Sequence, residues 1–195
     1  MPSSAAEDPL LFVLDLFERL EITYMLGGSL ASSIHGEPRA TNDFDVVATV
    51  ARSHVRSLVD ALEAAEFYVS EDAIFDAIAH ATSFNLIPRG AVKIDVFVAG
   101  EREWDRLALS RRVTVPYPGR PGRLIAVRSP EDIVLKKLEW FRLGGEVSER
   151  QWRDVLGVLC RRAADLDCAY LTRWAAILGI ADLLDEALRE ASRDR

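Results

Sequence analysis

The sequence contains few cysteines: only Cys160 and Cys168 occur among its 195 residues. No histidine or further cysteine lies near them to complete a metal site. Both fall in apolar segments that are predicted to be helical, so we interpret them as small buried hydrophobic residues in a reducing compartment. The composition therefore excludes a disulfide-stabilised scaffold and a cysteine metal centre.

Long hydrophobic runs are also missing. No stretch approaches the roughly 20 apolar residues that a membrane-spanning helix needs. Residues 1–10 lack the basic region and the apolar run of a signal peptide. We therefore expect a cytoplasmic protein with no membrane partner.

An excess of basic residues is absent too, since 24 lysines and arginines face 31 acidic residues and the formal net charge is −7. This balance argues against a protein that coats nucleic acid non-specifically, although it allows a local basic groove. Hydrophobic residues make up 49% of the chain, which is enough for one domain, or for one domain with a small appendage.

Hydrophobic periodicity divides the chain into an α+β body and a helical C-terminal part. The predicted helices span residues 9–20, 29–35, 53–66, 103–109, 129–143, 148–164 and 171–191. The predicted strands span residues 22–26, 44–50, 83–88, 92–98, 112–117 and 124–127. We place the body, a mixed β-sheet flanked by helices, at residues 1–127 and the helical subdomain at residues 128–195.

The first motif is Gly27-Gly28-Ser29, which follows a predicted strand and opens a predicted helix. Glycines at such a turn allow a phosphate to approach the backbone, and the free amides at the helix N-terminus can bind the anion. The Ser29 hydroxyl can add one more hydrogen-bond donor. The motif therefore predicts a phosphate site.

Asp43 and Asp45 lie two residues apart in a predicted strand, so their side chains leave the same face. Two neighbouring carboxylates repel each other unless a cation compensates for their charge. Mg²⁺ takes oxygen ligands and commonly bridges one or two carboxylates to substrate phosphates. We therefore predict that both aspartates bind Mg²⁺, or Mn²⁺ in its place.

Asp95 supplies a third carboxylate on the second strand of a predicted hairpin with a turn at Arg89-Gly90. Lys93 shares its face, while the residues between and after them are apolar. An ionised aspartate in a β-branched run is explained if it completes the metal site. The predicted chemistry is a two-metal, in-line displacement at phosphorus, in which Asp95 either accepts a proton or holds the second metal.

Together, these motifs resemble the signature of the DNA polymerase beta-like nucleotidyltransferase superfamily: a hydrophobic residue and two small residues, a spacer, Asp-x-Asp, and a later strand aspartate. Within it, the segment from His35 to Asp45 is similar to the version in bacterial AbiEii-type toxin nucleotidyltransferases, as is Lys93-Ile94-Asp95. The resemblance implies a nucleotidyltransferase fold, Mg²⁺ and a nucleoside triphosphate. In the toxin setting it also implies a cognate antitoxin.

The resemblance further implies a functional lysine on the helix after Ser129 and a later aspartate, Asp154. Lys136 and Lys137 are both compatible with that lysine, and we favour Lys136. Asp154 then pairs with this lysine or with Arg150. Nucleotide binding is thus predicted for Gly27, Gly28, Ser29, Arg39, Lys93, Lys136 and Asp154.

Two loop residues have alternative interpretations. Arg39 either binds phosphate oxygens or pairs with Asp43, Asp45 or Glu37. His35 either joins the active-site loop or hydrogen-bonds backbone carbonyls at the end of its helix.

Two functions compete at this level. The first is an enzyme that moves a nucleoside monophosphate from a nucleoside triphosphate to an acceptor hydroxyl on RNA, protein or a small molecule, in one setting as a toxin. The second is a catalytically silent nucleotide-binding or antitoxin-like module. The three aspartates favour the enzyme, because loss of one of them would be the simplest sign of a silent protein.

Overall fold

A computed structural model describes residues 8–41, 43–89, 92–118 and 120–193. Gly90, part of the turn predicted for the β-hairpin, lies outside these residues. The described residues form six strands: β1 Tyr24–Leu26, β2 Asp43–Ala48, β3 Ser83–Leu86, β4 Lys93–Val98, β5 Val113–Pro116 and β6 Leu124–Val127. They also form nine α-helices: α1 Pro9–Arg19, α2 Gly28–His35, α3 Val55–Ala64, α4 Glu71–His80, α5 Glu103–Ser110, α6 Pro130–Leu143, α7 Glu149–Arg162, α8 Cys168–Ile177 and α9 Ala181–Arg193.

The six strands form one mixed sheet in the order β3-β4-β2-β1-β6-β5. Strand β4 pairs antiparallel with β3, as a hairpin should, and parallel with β2. Strand β1 pairs antiparallel with β2 and parallel with β6. The predicted α+β class with a mixed sheet is therefore confirmed.

The two faces of the sheet are covered by different helices. Helices α1, α3 and α4 pack on one face, where they form a hydrophobic cluster with buried residues of β1, β2, β3, β4 and β6. Val113 and Val115 of β5 are partly buried against this cluster. Helices α5 to α9 form a second hydrophobic cluster with Met25 of β1 and Ala31 of α2 on the other face. On the same face, Val47 of β2 packs against this cluster, whereas Asp43 is exposed and Asp45, Lys93 and Asp95 are partly exposed.

The caps explain where several helices begin. Ser129 accepts a hydrogen bond from the Asp132 amide, and Pro130 occupies the first turn of α6. Ser148 caps α7 in the same way through the amide of Gln151. Both starts agree with the sequence, because serine caps and an N-terminal proline satisfy or remove amides that lack a helical partner.

Two predictions are wrong. The helix predicted over residues 171–191 is divided into α8 and α9, because Gly179 adopts a φ of +69° that an α-helix cannot contain. Cys168 is exposed at the start of α8 and Cys160 is only partly buried, so the interpretation of both as buried residues does not hold.

All six strands precede residue 128 and helices α6 to α9 follow it. The boundary between body and helical subdomain stays a prediction, since Met25, Ala31 and Trp104 of the body pack in the same cluster as the C-terminal helices. Among the helices of the described ranges, none has the length and apolar character to cross a membrane.

Candidate active site

The strand register brings the predicted carboxylates together. In the parallel pair β2–β4, Asp45 lies directly opposite Asp95, and Asp43 lies opposite Lys93. The alternate residues point to the other face, where Val46 and Ile94 are fully buried in the first core. The strand pattern therefore fixes four charged side chains on the part of the sheet that the helices leave open.

The charges on this face are only partly compensated. Burial, and then the negative charge of Asp95, raise the pKa of Asp45 above its usual range, although Lys137 acts in the opposite direction. Lys93 places its Nζ 2.8 Å from Oδ2 of Asp95, and this hydrogen bond raises the pKa of the lysine. The carboxylate of Asp45 is thus the group whose negative charge is least favourable in this arrangement.

As the side chains stand, the described residues include no group of three or more His, Cys, Asp or Glu side chains arranged to hold a metal ion. The carboxylates of β2 and β4 therefore form part of a coordination shell at most. Mg²⁺ suits a partial shell, because it usually keeps several water ligands and takes one or two carboxylates together with substrate phosphates.

Gly28 has to be a glycine for two reasons. Its φ is +51°, in the left-handed region, and an added Cβ would lie 1.6 Å from Oδ2 of Asp45. The amide of Gly27 donates to the carbonyl oxygen of Asp45 at 2.8 Å, which holds the turn against β2. The free amides at the start of α2 are consequently placed beside the Asp45 carboxylate.

A network of charged side chains closes one side of the site. Arg39 donates to both carboxylate oxygens of Asp154 at 2.9 Å and, through Nη2, to Oγ of Ser29 at 2.6 Å. Lys137 donates to Oδ2 of Asp154 at 2.6 Å. Burial alone would raise the pKa of Asp154, but the hydrogen bonds from Arg39 and Lys137 outweigh it and hold the pKa below its usual range.

These contacts correct three expectations about pairing. Arg39 pairs with Asp154 rather than with Asp43, Asp45 or Glu37, and Asp154 pairs with Arg39 and Lys137 rather than with Arg150. Lys137, not the favoured Lys136, is the lysine that joins Asp154.

Two close backbone contacts hold the Arg39 loop against helix α7. A Cβ added to Gly36 would lie 2.7 Å from the amide nitrogen of Val158, and one added to Gly157 would lie 3.2 Å from the amide nitrogen of Glu37. Thr41 orders the same loop by donating its hydroxyl to the carbonyl oxygen of Asp43.

Lys136 points to a different group of charges. Its Nζ lies 2.7 Å from Glu139, whose carboxylate also accepts from Arg102 at 2.6 Å. Arg102 in turn pairs with Asp105 on the first turn of α5. Both lysines nevertheless line the same cavity, Lys137 near Ser29 and Arg39, and Lys136 near Arg102.

A cavity of about 960 Å³ opens beside these residues. Its lining includes Asp45, whereas Asp43 and Asp95 are not among the lining residues. Among the described residues, six cationic and three acidic side chains line it, which contrasts with the net charge of −7 of the whole chain. The cations are Arg39, Arg102, Arg128, Lys136, Lys137 and Arg150, and the carboxylates are Asp45, Glu101 and Asp105.

Arg128 and Trp140 also line the cavity, and neither belongs to the set of site residues predicted from the sequence. Arg128 follows β6 and is only 4% exposed. Trp140 is 48% exposed at the cavity and has the Nζ of Lys136 5.6 Å from its ring centroid. No local motif distinguishes either residue, because their positions depend on how α6 packs against the sheet.

His35 belongs to the second of its two interpretations. Its ring is buried and Nε2 lies 2.7 Å from the carbonyl oxygen of Arg128. Burial lowers the pKa of His35. A neutral ring that donates from Nε2 to this carbonyl therefore connects the end of α2 to the start of α6.

The architecture matches known structures. The chain is similar to ANT(2'')-Ia in complex with adenylyl-2''-tobramycin, with 14% identity, a TM-score of 0.57 and coverage of 89% of this chain and 97% of that chain. It is also similar to an antigenic nucleotidyltransferase-like protein from Paracoccidioides brasiliensis, with 17% identity, a TM-score of 0.52 and coverage of 97% and 95%. No protein-family model and no curated protein matches the sequence.

A third similarity, to the solution structure of the antibiotic-resistance factor ANT(2'')-Ia, has 14% identity, a TM-score of 0.52 and coverage of 90% of this chain and 96% of that chain. At such identities the likeness is one of fold. The chain therefore has the α+β fold of nucleotidyltransferases, with its open carboxylate face and its cationic cavity on the same side of the sheet.

Proposed function

We propose that this protein is a nucleotidyltransferase that moves a nucleoside monophosphate from a nucleoside triphosphate to an acceptor hydroxyl. The observation that carries the proposal is the pairing of Asp45 with Asp95 on the open face of the sheet, beside a cationic cavity. Two partly buried carboxylates that face each other repel, and a bound cation would compensate for their charge. The nucleotidyltransferase fold of the chain supports the same conclusion.

The triphosphate would bind at the start of α2. The free amides that follow Gly27 and the hydroxyl of Ser29 are donors for phosphate oxygens. Lys137 and Arg39 add positive charge on the same side, and their shared partner Asp154 holds both side chains in place. The proposed nucleotide-binding set therefore adds Lys137 to the residues predicted from the sequence, among which Lys136 lines another part of the cavity.

Asp43, Asp45 and Asp95 would hold Mg²⁺ or Mn²⁺ together with the phosphates, because their oxygens are the ligands that these ions prefer. The raised pKa of Asp45 supports this assignment, since a divalent cation would remove the repulsion that raises it. When bound, the metal would neutralise charge on the reacting phosphate and lower the pKa of the acceptor hydroxyl.

The reaction would be an in-line displacement. The acceptor oxygen forms a bond to the α-phosphorus, the bond from that phosphorus to the bridging oxygen breaks, and pyrophosphate leaves. Asp95 would either accept the hydroxyl proton or hold the second metal, and Lys93, whose Nζ lies 2.8 Å from its Oδ2, would orient the carboxylate.

We favour a small hydroxylated molecule as the acceptor. The cavity extends from Ser29 past Asp45 to Ser83, Gly100 and Arg102, which leaves room beyond the triphosphate. Its volume of about 960 Å³ is that of a small-molecule site, and the chain as a whole is acidic. ANT(2'')-Ia, which shares the fold, is described with an adenylylated tobramycin. RNA ends and proteins are the other acceptor classes.

The test is transfer of label from each of four α-labelled nucleoside triphosphates, with Mg²⁺ or Mn²⁺, to separate pools of aminoglycosides and other hydroxylated compounds, RNA and proteins. Chelation of the metal and Asp45→Asn serve as matched controls. We expect label in one pool, dependent on both metal and Asp45. Nucleotide binding without label in any pool would leave the silent nucleotide-binding module as the function.

A place among AbiEii-type toxins is a narrower form of this proposal. The Arg39–Asp154–Lys137 network supports it, because it joins the loop arginine, the helical lysine and the later aspartate that the resemblance implies. Expression in bacteria should then arrest growth, and Asp43→Ala should relieve the arrest. Normal growth with abundant folded protein would exclude the toxin role and with it the need for a cognate antitoxin.

A further inference from the structure

Arg128 occupies a special place in the cavity. It directly follows β6, and its amide donates to the carbonyl oxygen of Leu26 at 2.8 Å. This contact puts the arginine beside the Gly27-Gly28 turn: a Cβ on Gly27 would lie 4.0 Å from its Nε. The side chain lines the cavity from the inner wall, on the face of the sheet that carries Asp45.

Two nitrogens of the Arg128 guanidinium have no hydrogen-bond partner among the described residues. Only 4% of the residue is exposed, and the unpartnered atoms, Nε and Nη1, are buried. The nearest favourable contact is the ring of Trp104, whose centroid lies 5.7 Å from Cζ. Burial lowers the pKa of Arg128, yet a guanidinium stays charged in a protein. An unpaired buried charge of this kind is costly.

The acidic residues around it do not remove this cost, because each is already engaged. Asp132 accepts from Ser129 and from the hydroxyl of Tyr170 at 2.6 Å. Asp105 and Glu139 are both bound by Arg102. Their negative charges favour the charged form of Arg128 from a distance, but none of them accepts a hydrogen bond from Nε or Nη1.

The backbone of Arg128 is fixed, so the side chain is presented from a rigid base. The hydrogen bond from the Arg128 amide to the carbonyl oxygen of Leu26 continues the β1–β6 pairing. The carbonyl oxygen of Arg128 accepts a hydrogen bond from the buried ring of His35 at 2.7 Å. His35 ends α2, the helix whose N-terminus begins at the glycine turn. One short helix therefore connects the free amides at its start to the arginine at its end.

We propose that Arg128 is a phosphate-binding residue, and that its guanidinium and the amides at the start of α2 form an anion subsite at the inner wall of the cavity. The ligand is a phosphate group of the nucleoside triphosphate, so the inference rests on the proposed function. A guanidinium with free N–H groups matches phosphate oxygens in geometry and charge. Arg128 is then a cation whose partner arrives with the substrate.

The probe is inorganic tripolyphosphate, which carries the charge of the substrate without its base or sugar. Its affinity is measured by calorimetry for the full chain and for Arg128→Met, which keeps side-chain volume but removes the charge. Arg123→Met is the matched control, because Arg123 pairs with Asp15 and Glu18 outside the cavity. Melting temperature is recorded for each protein with and without tripolyphosphate.

We expect Arg128→Met to weaken tripolyphosphate binding by about tenfold to a hundredfold, the usual effect of losing a charged hydrogen bond. Without ligand, its melting temperature should equal or exceed that of the parent, because an unpaired buried charge is gone. Arg123→Met should bind tripolyphosphate as the parent does.

Unchanged affinity in Arg128→Met would overturn the inference. If that variant does not fold, Arg128→Gln is measured in the same way, and failure of both to fold would show a structural cation and overturn it as well. The proposed function fails separately: tripolyphosphate binding that depends on Arg128, without any nucleotidyl transfer, refutes the function but not the subsite. Transfer by the parent with full binding by Arg128→Met refutes only the subsite.

Discussion

Strands β2 and β4 have one apolar, buried face and one charged face. On one face, Val46, Ile94 and Val96 are fully buried beneath α1, α3 and α4. On the other face lie four charged residues, of which Asp43 is exposed and the rest are partly exposed: Asp43, Asp45, Lys93 and Asp95. The same backbone pairing holds both sets, so the sheet itself does not distinguish them.

The difference separates the residues that stabilise the fold from those that we assign to the proposed activity. The apolar face gains free energy from burial, whereas the charged face includes a carboxylate, Asp45, whose pKa is raised by burial and by Asp95. A carboxylate in a position where its negative charge is unfavourable is a candidate functional group. The variants below separate the two faces, beginning with the largest expected effect.

Asp45→Asn should lower the rate of nucleotidyl transfer by about a thousandfold, because a metal contributes several kcal/mol and each ~1.4 kcal/mol is a factor of ten. At neutral pH its free energy of unfolding should be unchanged or higher, since the variant removes a repelled carboxylate. Urea denaturation and initial rates on the same preparations check both effects. A marked loss of stability would assign Asp45 to the architecture instead.

Ile94 precedes Asp95 in β4 and lies on the opposite, apolar face of the sheet. Ile94→Ala should lower the free energy of unfolding by about 2–5 kcal/mol. The fraction that stays folded should transfer nucleotide at nearly the parental rate, because Ile94 is fully buried away from the cavity. Denaturation curves and rates per folded molecule decide the matter. Loss of activity in fully folded protein would show that the two faces are coupled.

Lys137→Met should lower kcat/KM for the nucleoside triphosphate by about tenfold to a hundredfold, the effect of losing one charged hydrogen bond. Lys136→Met should have a smaller effect, because Lys136 is held by Glu139 rather than by the network beside Ser29. Steady-state kinetics with both variants, compared at equal Mg²⁺, rank the two lysines. An equal or reversed ranking would return the functional role to Lys136.

The smallest effect concerns two carboxylates at the site whose pKa values shift in opposite directions. The parent should lose unfolding free energy relative to Asp45→Asn as pH rises from the unfolded-state pKa of Asp45 to its higher folded-state pKa. It should lose unfolding free energy relative to Asp154→Asn as pH falls from the unfolded-state pKa of Asp154 through its lower folded-state pKa. Urea denaturation across acidic pH measures both trends, and trends of the same sign would contradict the account.

Much of the site follows from sequence because its parts are local. Alternation in a strand places Asp43 and Asp45 on one face, and a Gly-Gly-Ser turn after a strand marks the start of a helix. The hairpin puts Asp95 on a strand whose register the pattern defines. The fold class follows for the same reason, since strand and helix periodicities are read over short windows.

The remaining features depend on contacts between distant segments. The parallel pairing of β2 with β4 puts Asp45 opposite Asp95, yet no local sequence signal predicts that these two strands are neighbours. The rotation of α6 decides that Lys137 reaches Asp154, and adjacent helical residues differ by about 100°. The sequence does not distinguish Arg128 from other loop arginines, because its burial and the pairing of the nearby acidic residues with other groups depend on tertiary structure. By contrast, Gly179 is a local signal for the break between α8 and α9, although the predicted helix over residues 171–191 does not include that break.

The most direct test of the central claim is binding of Mn²⁺, followed by electron paramagnetic resonance, with a non-hydrolysable nucleoside triphosphate analogue. The parent protein should bind Mn²⁺ tightly only when the analogue is present, because the carboxylates of β2 and β4 would supply only part of the coordination shell. Asp45→Asn should lose this binding while keeping its fold. Mn²⁺ that stays free with the parent and the analogue, or binds equally to Asp45→Asn, would contradict the assignment of the open face as a metal–nucleotide site.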